Sequence, residues 1–224
     1  LLSVATYWIE NFDIDAWRLD VANEIDHQFW RDFRKAVLAK KPDLYILGEI
    51  WHTSQPWLQG DEFHAVMNYP LSESIKDYFL RQRKKTEQFI SEINSQSMYY
   101  KQQISEVMFN LLDSHDTERI LTTAKGNIQH VKAALTFLYL QKGTPCIYYG
   151  TELALIGGPD PDCRRVMPWD RVSEDNDMLN FMKQLIQVRK EVASMIQHGS
   201  YSLQEVKPDV LALSWNYQGK EVQG

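Results

Sequence analysis

The stretch Ile14-Asp15-Ala16-Trp17-Arg18-Leu19-Asp20-Val21 decides the fold, because it is a short apolar run that ends in charged residues. A second run, Leu44-Tyr45-Ile46-Leu47-Gly48-Glu49, is nearly continuously apolar and also ends in an acid. Short apolar runs of this kind are typical of strands that are buried on both faces. A helical pattern over residues 27–40 separates the two runs, and Pro42 ends it. The order strand, helix, strand predicts a parallel sheet with right-handed crossovers.

The same alternation continues along the rest of the chain. Three further strands are predicted at residues 63–68, 107–112 and 145–149. The remaining helical patterns cover residues 1–12, 71–81, 86–100, 117–123, 127–141 and 175–196. From about residue 200 the pattern changes to strand-like alternation with polar turns, which predicts an antiparallel sheet.

Polar side chains follow four of the five predicted parallel strands, namely Asp20, Glu49, Asn68 and the cluster Asp113-Ser114-His115-Asp116. A (β/α)8 barrel places its chemistry at the carboxyl ends of its strands. No Gly-x-Gly-x-x-Gly follows any strand, which argues against a dinucleotide-binding fold. The predicted fold class is therefore α/β, with about strands 4–8 of a TIM barrel over residues 1–198. The first three strands are expected before Leu1, and residues 199–224 are expected to begin a C-terminal antiparallel β domain.

Composition excludes several classes of protein. The 224 residues carry a net charge of −6 with no basic stripe, which argues against a nucleic-acid partner. No apolar run approaches the roughly 20 residues that span a bilayer, so no membrane association is expected. Cys146 and Cys163 form neither a disulfide framework nor a zinc site, and they favour a reducing, cytoplasmic location.

Two of the acids have surroundings that suit catalysis. Asp20 follows Arg18 at two-residue spacing, so both side chains are expected on one face, where the guanidinium would keep the carboxylate ionised as a nucleophile requires. Glu49 follows an apolar strand and precedes Ile50 and Trp51, surroundings that suit a proton donor. Such a pair is the minimum for glycoside hydrolysis. Any single acid is more often simply solvated, so spacing alone does not name a reaction.

The residue sequences of the motifs indicate a particular family more specifically than their spacing does. Three of them resemble ordered signature regions of the α-amylase family: Asp15-Ala16-Trp17-Arg18-Leu19-Asp20-Val21-Ala22-Asn23-Glu24, Gly48-Glu49-Ile50-Trp51 and Ser114-His115-Asp116-Thr117. Residues 57–70 and 157–164 also resemble the cyclomaltodextrinase, neopullulanase and maltogenic amylase group, for which the ending Val21-Ala22-Asn23-Glu24 is typical. The resemblance covers nearly the whole chain.

The resemblance implies a retaining hydrolase of α-1,4 glucosidic bonds, with α-1,6 bonds as an additional option, in cyclodextrins, pullulan or malto-oligosaccharides. It implies Asp20 as nucleophile, Glu49 as general acid/base and Asp116 as a third carboxylate that binds sugar hydroxyls. Arg18 would orient Asp20, and His115 would contact the sugar in the cleaved-bond subsite.

Further substrate contacts are implied for Asp160 and Arg164 on the next sugar, and for an acceptor side formed by Glu24, Trp51, Met67 and Tyr69. Simpler interpretations exist for each of them. Trp51, Met67 and Tyr69 could be packing residues, Glu24 an acid that leads a helix, and Asp160 with Arg164 a loop salt bridge. No cofactor and no metal site is expected here, although calcium in a full-length protein stays open.

The sequence departs from the family pattern in some places. The first signature region, Asp-x-x-x-Asn-His, and the N-terminal domain through which this group usually dimerises are absent, so a homo-oligomer is expected only by resemblance. Glu118 stands where Pro is usual. We expect weak or no activity from the isolated chain, because half of the sugar-binding rim would be missing. The alternatives are an oligosaccharide α-glucosidase, a glucanotransferase, or a non-catalytic amylase-like scaffold.

Overall fold

A computed structural model describes residues 1–208 and 210–224. The chain begins with a helix of eleven residues, after which parallel strands alternate with helices. The parallel strands are β1 (Ala16–Leu19), β2 (Tyr45–Gly48), β3 (Ala65–Val66), β4 (Phe109–Asn110) and β5 (Thr144–Pro145).

Hydrogen bonds join the five strands into one parallel succession. β1 pairs with β2 and β2 with β3, while β4 pairs with β5. A parallel bridge between Met67 and Phe109 connects the two groups, with the N–H of Asn68 donating to the carbonyl of Phe109 at 2.8 Å. All five strands run in the same direction, so their carboxyl ends lie along one edge.

Helices pack against the strands and the antiparallel sheet. They are α1 (Leu2–Phe12), α2 (His27–Leu38), α3 (Tyr69–Ile75), α4 (Thr86–Ser97), α5 (Gln102–Ser105), α6 (Ile120–Thr123), α7 (Ile128–Tyr139), α8 (Asp177–Glu191) and α9 (Ala193–His198). A π-helical turn, Lys76–Leu80, extends α3. Side chains of Asp26, Asn127 and Asn176 accept hydrogen bonds from the first turns of α2, α7 and α8, which satisfies otherwise unpaired N–H groups.

The C-terminal segment forms an antiparallel sheet of β6 (Ser200–Lys207), β7 (Val210–Tyr217) and β8 (Lys220–Gln223) in that order. Apolar side chains form two buried clusters. One joins α1 and α2 to β1, β2 and β3, with Val37 and Ile46 fully buried. The other joins α3, α4, α7 and α8 to the antiparallel sheet through Leu213 and Trp215. The sheet therefore shares a core with the helices.

The predicted order of strands and helices is confirmed, but several elements differ in extent. The strands predicted at 63–68 and 107–112 are limited to Ala65–Val66 and Phe109–Asn110, and the helix predicted at 86–100 ends at Ser97. The fifth strand ends at Pro145, so the prediction of strand for residues 146–149 is wrong; the rings of Tyr148 and Tyr149 instead pack against the guanidinium of Arg119. The helix predicted from residue 117 begins at Ile120. The helix predicted for 175–196 is interrupted at Val192. The domain limits of 1–198 and 199–224 stay predictions.

Among the described residues, no helix is long and apolar enough to cross a membrane.

Candidate active site

Asp20 and Glu49 follow neighbouring strands, and one guanidinium contacts both of them. Arg18 Nη1 donates to Asp20 Oδ1 at 2.6 Å, and Arg18 Nη2 forms a 2.9 Å ion pair with Glu49 Oε1. The register of β1 and β2 explains why Arg18 reaches both carboxylates, since Arg18 pairs with Leu47 and Leu19 with Gly48. The N–H of Glu49 donates to the carbonyl of Leu19 at 2.8 Å, which sets the two strand ends side by side.

The environments of the two carboxylates differ strongly. The side chain of Asp20 is 74% exposed, whereas that of Glu49 is 6% exposed. Glu49 Oε2 accepts the backbone N–H of Val21 at 3.0 Å, and Glu49 Oε1 accepts from the indole Nε1 of Trp51 at 3.3 Å. One carboxylate is therefore open to a substrate, and the other is held in a buried hydrogen-bonded position.

Arg18 also sets the charge state of Asp20. The hydrogen bond from Arg18 lowers the pKa of Asp20 below its ordinary value, and the charge of Arg18, the side chain of Glu49 and the charge of His115 act in the same direction. Burial acts in the opposite direction but does not reverse the lowering of the pKa. Asp20 is thus ionised at neutral pH, as the sequence predicted from the position of Arg18.

Val21 takes an unusual backbone conformation at this point. Its φ of 43° and ψ of 44° lie in the left-handed region, which a β-branched residue rarely adopts. The conformation directs the N–H of Val21 at Glu49 Oε2, and the next N–H, of Ala22, donates to the carbonyl of Glu49 at 3.1 Å. Backbone strain at this turn accompanies the placement of a buried carboxylate.

The third acid lies in a group of charged side chains after β4. Asp116 Oδ2 is 3.1 Å from His115 Nε2, and Asp116 Oδ1 is 3.2 Å from Arg164 Nη2. Arg164 Nε is 2.7 Å from Asp160 Oδ1 and also donates to the carbonyl of His115 at 2.9 Å. The predicted residues His115, Asp116, Asp160 and Arg164 are therefore in one connected group, with each side chain partly accessible to solvent.

A stacked aromatic pair lies between the two groups of acids. The rings of Trp51 and Tyr69 are parallel within 6° and 4.0 Å apart. The hydroxyl of Tyr69 is 3.2 Å from Ser114 Oγ, which accepts the N–H of Asp116 at 3.2 Å. Burial raises the pKa of Tyr69 to about 12, and the charges of Glu49 and Asp116 add to that rise. Trp51 keeps about half of its surface exposed for a ligand.

Met67 and Glu24 lie outside these contacts. Met67 is buried, with 5% of its surface exposed, in the core cluster of the first three strands, which matches the packing alternative. Glu24 is exposed at the end of a 3₁₀ turn, Ala22–Glu24. Their predicted roles on the acceptor side stay predictions.

Sequence reasoning missed several residues that support the site. The backbone N–H of Val21 and the hydroxyl of Ser114 could not be found from residue types alone. Asp113 is buried next to Thr151, whose hydroxyl is 3.1 Å from Asp113 Oδ2. Arg119 is completely buried three residues after Asp116. In the sequence, Arg119 could have been noticed from its position two residues after the motif Ser114-His115-Asp116-Thr117.

A metal centre is not formed by the part of the chain that the structure describes, since no group of three or more His, Cys, Asp or Glu side chains is close enough to hold an ion. The expectation that no cofactor is needed stays a prediction.

Comparison with known proteins supports the same group as the motifs. The family described as "Alpha amylase, catalytic domain" matches residues 1–199. The chain is 50% identical over 216 residues to the intracellular maltogenic amylase of Bacillus subtilis (strain 168), covering 96% of this chain and 37% of that protein. It is 46% identical over 195 residues to neopullulanase 2 of Thermoactinomyces vulgaris, covering 87% of this chain and 33% of that protein.

A solved cyclomaltodextrinase superposes on the whole chain with a TM-score of 0.94 and 44% identity, and the match covers 38% of that structure. The chain thus spans between 33% and 38% of the length of these relatives. Its fold is that of the α-amylase catalytic domain, a TIM-barrel glycosidase, with a C-terminal antiparallel sheet. The chain belongs to the α-amylase family of glycoside hydrolases, among relatives named cyclomaltodextrinase, maltogenic amylase and neopullulanase.

Proposed function

We propose that the protein hydrolyses α-glucosidic bonds with retention of configuration, using Asp20 and Glu49. The observation that carries this proposal is the single guanidinium of Arg18, which contacts both carboxylates at 2.6 and 2.9 Å. That contact brings the two acids close together, as retention requires, since retaining enzymes place their carboxyl groups about 5–5.5 Å apart. An inverting enzyme needs a wider gap that admits water between them.

In the first step, the Asp20 carboxylate attacks the anomeric carbon while the bond to the leaving oxygen breaks. Glu49 gives its proton to that oxygen, so the released sugar carries a hydroxyl group. In the second step, Glu49 takes a proton from water, whose oxygen displaces Asp20 from the anomeric carbon. Asp20 is suited to the first role because it is exposed and its pKa is lowered by Arg18.

Asp116 and His115 would hold the sugar during both steps. Their side chains are 31% and 43% exposed and lie together beside Arg164. Asp116 Oδ2 and His115 Nε2 are 3.1 Å apart, so the carboxylate can accept a hydrogen bond from one sugar hydroxyl while the imidazole donates to a neighbouring one. Asp160 and Arg164 would contact the next sugar, and the exposed face of Trp51 would contact a sugar on the acceptor side.

The substrates that we propose are cyclodextrins, pullulan and malto-oligosaccharides, because the relatives bear the names cyclomaltodextrinase, neopullulanase and maltogenic amylase. An α-glucosidase or glucanotransferase of the same family is the alternative. Rates on cyclodextrin, pullulan and maltotriose, with and without added maltose as acceptor, separate these activities. A cytoplasmic location agrees with a relative named intracellular; homo-oligomerisation is carried only by the resemblance.

α-Maltosyl fluoride tests the catalytic roles, because fluoride leaves without protonation and weak activity becomes measurable. We expect Asp20→Asn to release no fluoride. Glu49→Gln should release about one equivalent and then stall, since the glycosyl-enzyme forms but water is not activated. The exposed acid Asp61, which pairs with Arg31, provides the control variant Asp61→Asn, which should behave like the wild type.

Proton NMR of the first sugar formed decides the stereochemistry, with α-maltose expected. Unchanged turnover in both Asp20→Asn and Glu49→Gln would contradict the assignment and favour the scaffold alternative. β-Maltose as the first product would contradict retention. The chain covers little more than a third of its relatives, so we expect low absolute rates from it alone.

A further inference from the structure

We propose that Arg119 is a positioning residue that holds His115, Asp116 and Arg164 in their arrangement for the reaction. The inference rests on the proposed function for the meaning of that arrangement. Arg119 does not contact the place where a sugar would bind, because it is completely buried.

Arg119 binds two parts of the long segment between β5 and α8 through its side chain. Its Nε donates to the carbonyl of Cys163 at 2.8 Å, and its Nη1 donates to the carbonyl of Tyr149. The guanidinium carbon lies 3.9 Å from the ring centre of Tyr148 and 4.6 Å from that of Tyr149. The backbone N–H of Arg119 adds a third contact to the same segment by donating to the carbonyl of Gly157 at 3.0 Å.

The loop that Arg119 holds through Cys163 carries the partners of the third acid. Cys163 Sγ lies 3.0 Å from the carbonyl of His115, and Arg164 Nε donates to the same carbonyl at 2.9 Å. Arg164 then reaches Asp116 at 3.2 Å. A change in the backbone at Cys163 would therefore be passed to His115 and Asp116 within one or two contacts.

The stability of the fold does not by itself account for a charge at this place. No carboxylate among the described residues forms an ion pair with Arg119, and its Nη2 is buried with no hydrogen-bond partner in that part of the chain. Burying a guanidinium that no carboxylate contacts directly is costly, even though the charge of Arg119 acts on the buried carboxyl group of Asp113. An apolar side chain of similar length would lose the hydrogen bonds to the two carbonyls and the cation–π contacts with the two rings. We infer that these contacts are the reason for an arginine at this position.

Arg189 offers a matched control. It is a partly buried arginine whose side chain, within the described part of the chain, donates to the backbone carbonyls of Tyr139, Gln141 and Gly143 at 2.6 to 2.8 Å. These carbonyls precede β5, whereas the site follows the carboxyl ends of the strands. Loss of either arginine should reduce stability, but only loss of Arg119 should alter the site.

The test is NMR spectroscopy of the 224-residue chain in the variants Arg119→Met and Arg189→Met. The reporters are the imidazole signals of His115 and the Nε–H signal of Arg164, assigned with His115→Gln and Arg164→Lys. We expect both reporters to shift in Arg119→Met and to stay at their wild-type positions in Arg189→Met. Arg119→Lys keeps the charge but replaces the planar fork with a single ammonium group, and should shift the reporters by an intermediate amount.

Reporter signals that stay unchanged in Arg119→Met, or that shift equally in Arg189→Met, would overturn the proposal. If Arg119→Met does not fold, Arg119→Lys decides by the same comparison with Arg189→Lys. Turnover of α-maltosyl fluoride that is unchanged in Asp20→Asn and Glu49→Gln, in a chain that still shows the Arg119-specific shifts, would contradict the proposed function while supporting the positioning role.

Discussion

At the scale of single residues, Asp113 shows how a buried acid supports the turn that carries Asp116. Its Oδ2 accepts the N–H of Ile120 at 3.2 Å, and both of its carboxyl oxygens lie within 3.2 Å of the hydroxyl of Thr151. Burial raises the pKa of Asp113 to about 6, although these hydrogen bonds and the charges of Arg119 and Lys76 oppose the rise. The carboxyl group is thus held between the chain after β4 and the loop after β5, and its protonation is linked to folding.

We predict that Asp113→Asn removes a pH dependence of stability. The folded pKa lies above that of an unfolded Asp, so folding takes up a proton between pH 4 and 6, and the contribution of Asp113 to stability is lost as pH rises through that window. A shift of this size corresponds to roughly 2–3 kcal/mol. Urea unfolding at pH 4 and pH 7 should show that the change in stability from pH 4 to pH 7 is less favourable in the wild type than in Asp113→Asn by about this amount.

The control for this experiment is Asp175→Asn, since Asp175 is exposed in a loop. It should keep the wild-type difference between the two pH values. Equal differences in the wild type and in Asp113→Asn would contradict the prediction.

At the scale of elements, the position of Glu49 depends on the close packing of β2 against the segment before β3, which contains Phe63. Gly48 is the last residue of this strand and pairs with Leu19 on one side and Val66 on the other. A Cβ atom at Gly48 would lie 2.7 Å from two carbons of the Phe63 ring. Phe63 is itself buried, so it has little room to move. The absence of a side chain at Gly48 therefore allows the strand to sit where Glu49 reaches Arg18.

We predict that Gly48→Ala destabilises the fold by about 1–3 kcal/mol, because overpacking a close-packed core forces the backbone or the ring to shift. Urea unfolding monitored by circular dichroism measures this change. Gly158→Ala is the control, since its nearest neighbour would be Asp162 Oδ2 at 3.4 Å and it should change stability by less than about 0.5 kcal/mol. A Gly48→Ala variant as stable as the control would contradict the prediction and show that the Phe63 ring can move aside to accommodate the methyl group.

At the scale of the whole molecule, the antiparallel sheet is packed into the core of the helices. Trp215 is almost completely buried, and its indole Nε1 donates to the carbonyl of Leu140, after α7, at 2.8 Å. Its ring lies 4.8 Å from that of Tyr201 on the neighbouring strand. Leu203 and Leu213 belong to the same buried cluster as the helices. This shared core predicts that the sheet and its supporting helices unfold together.

We predict that Trp215→Ala lowers stability by about 3–5 kcal/mol, the usual cost of removing a large buried aromatic ring. Far-ultraviolet circular dichroism and tryptophan fluorescence should still report one cooperative transition. Trp169→Ala is the control, because Trp169 is mostly exposed and its loss should cost little. If Trp215→Ala creates a separate early transition and leaves the main one unchanged, the sheet is an independent unit.

The residues that the sequence brought to notice are mostly those whose neighbours are close along the chain. The contact between Arg18 and Asp20 follows from a spacing of two at the end of a strand, and the motif around Asp116 contains His115. The end of the fifth strand was mispredicted, because apolar aromatic residues have the same local pattern whether they pair in a sheet or pack on a buried cation.

The amino-acid sequence alone determined the order of strands and helices, the α-amylase family resemblance and the acids at the strand ends. These features depend on local periodicity and on residue type, which a linear pattern records. Only the tertiary structure decided that Arg18 also contacts Glu49, that Val21 supplies an N–H to that acid, and that Arg119 holds the loop of Cys163. Those contacts join residues 28 to 44 positions apart, and they depend on strand register and loop paths that no local pattern specifies.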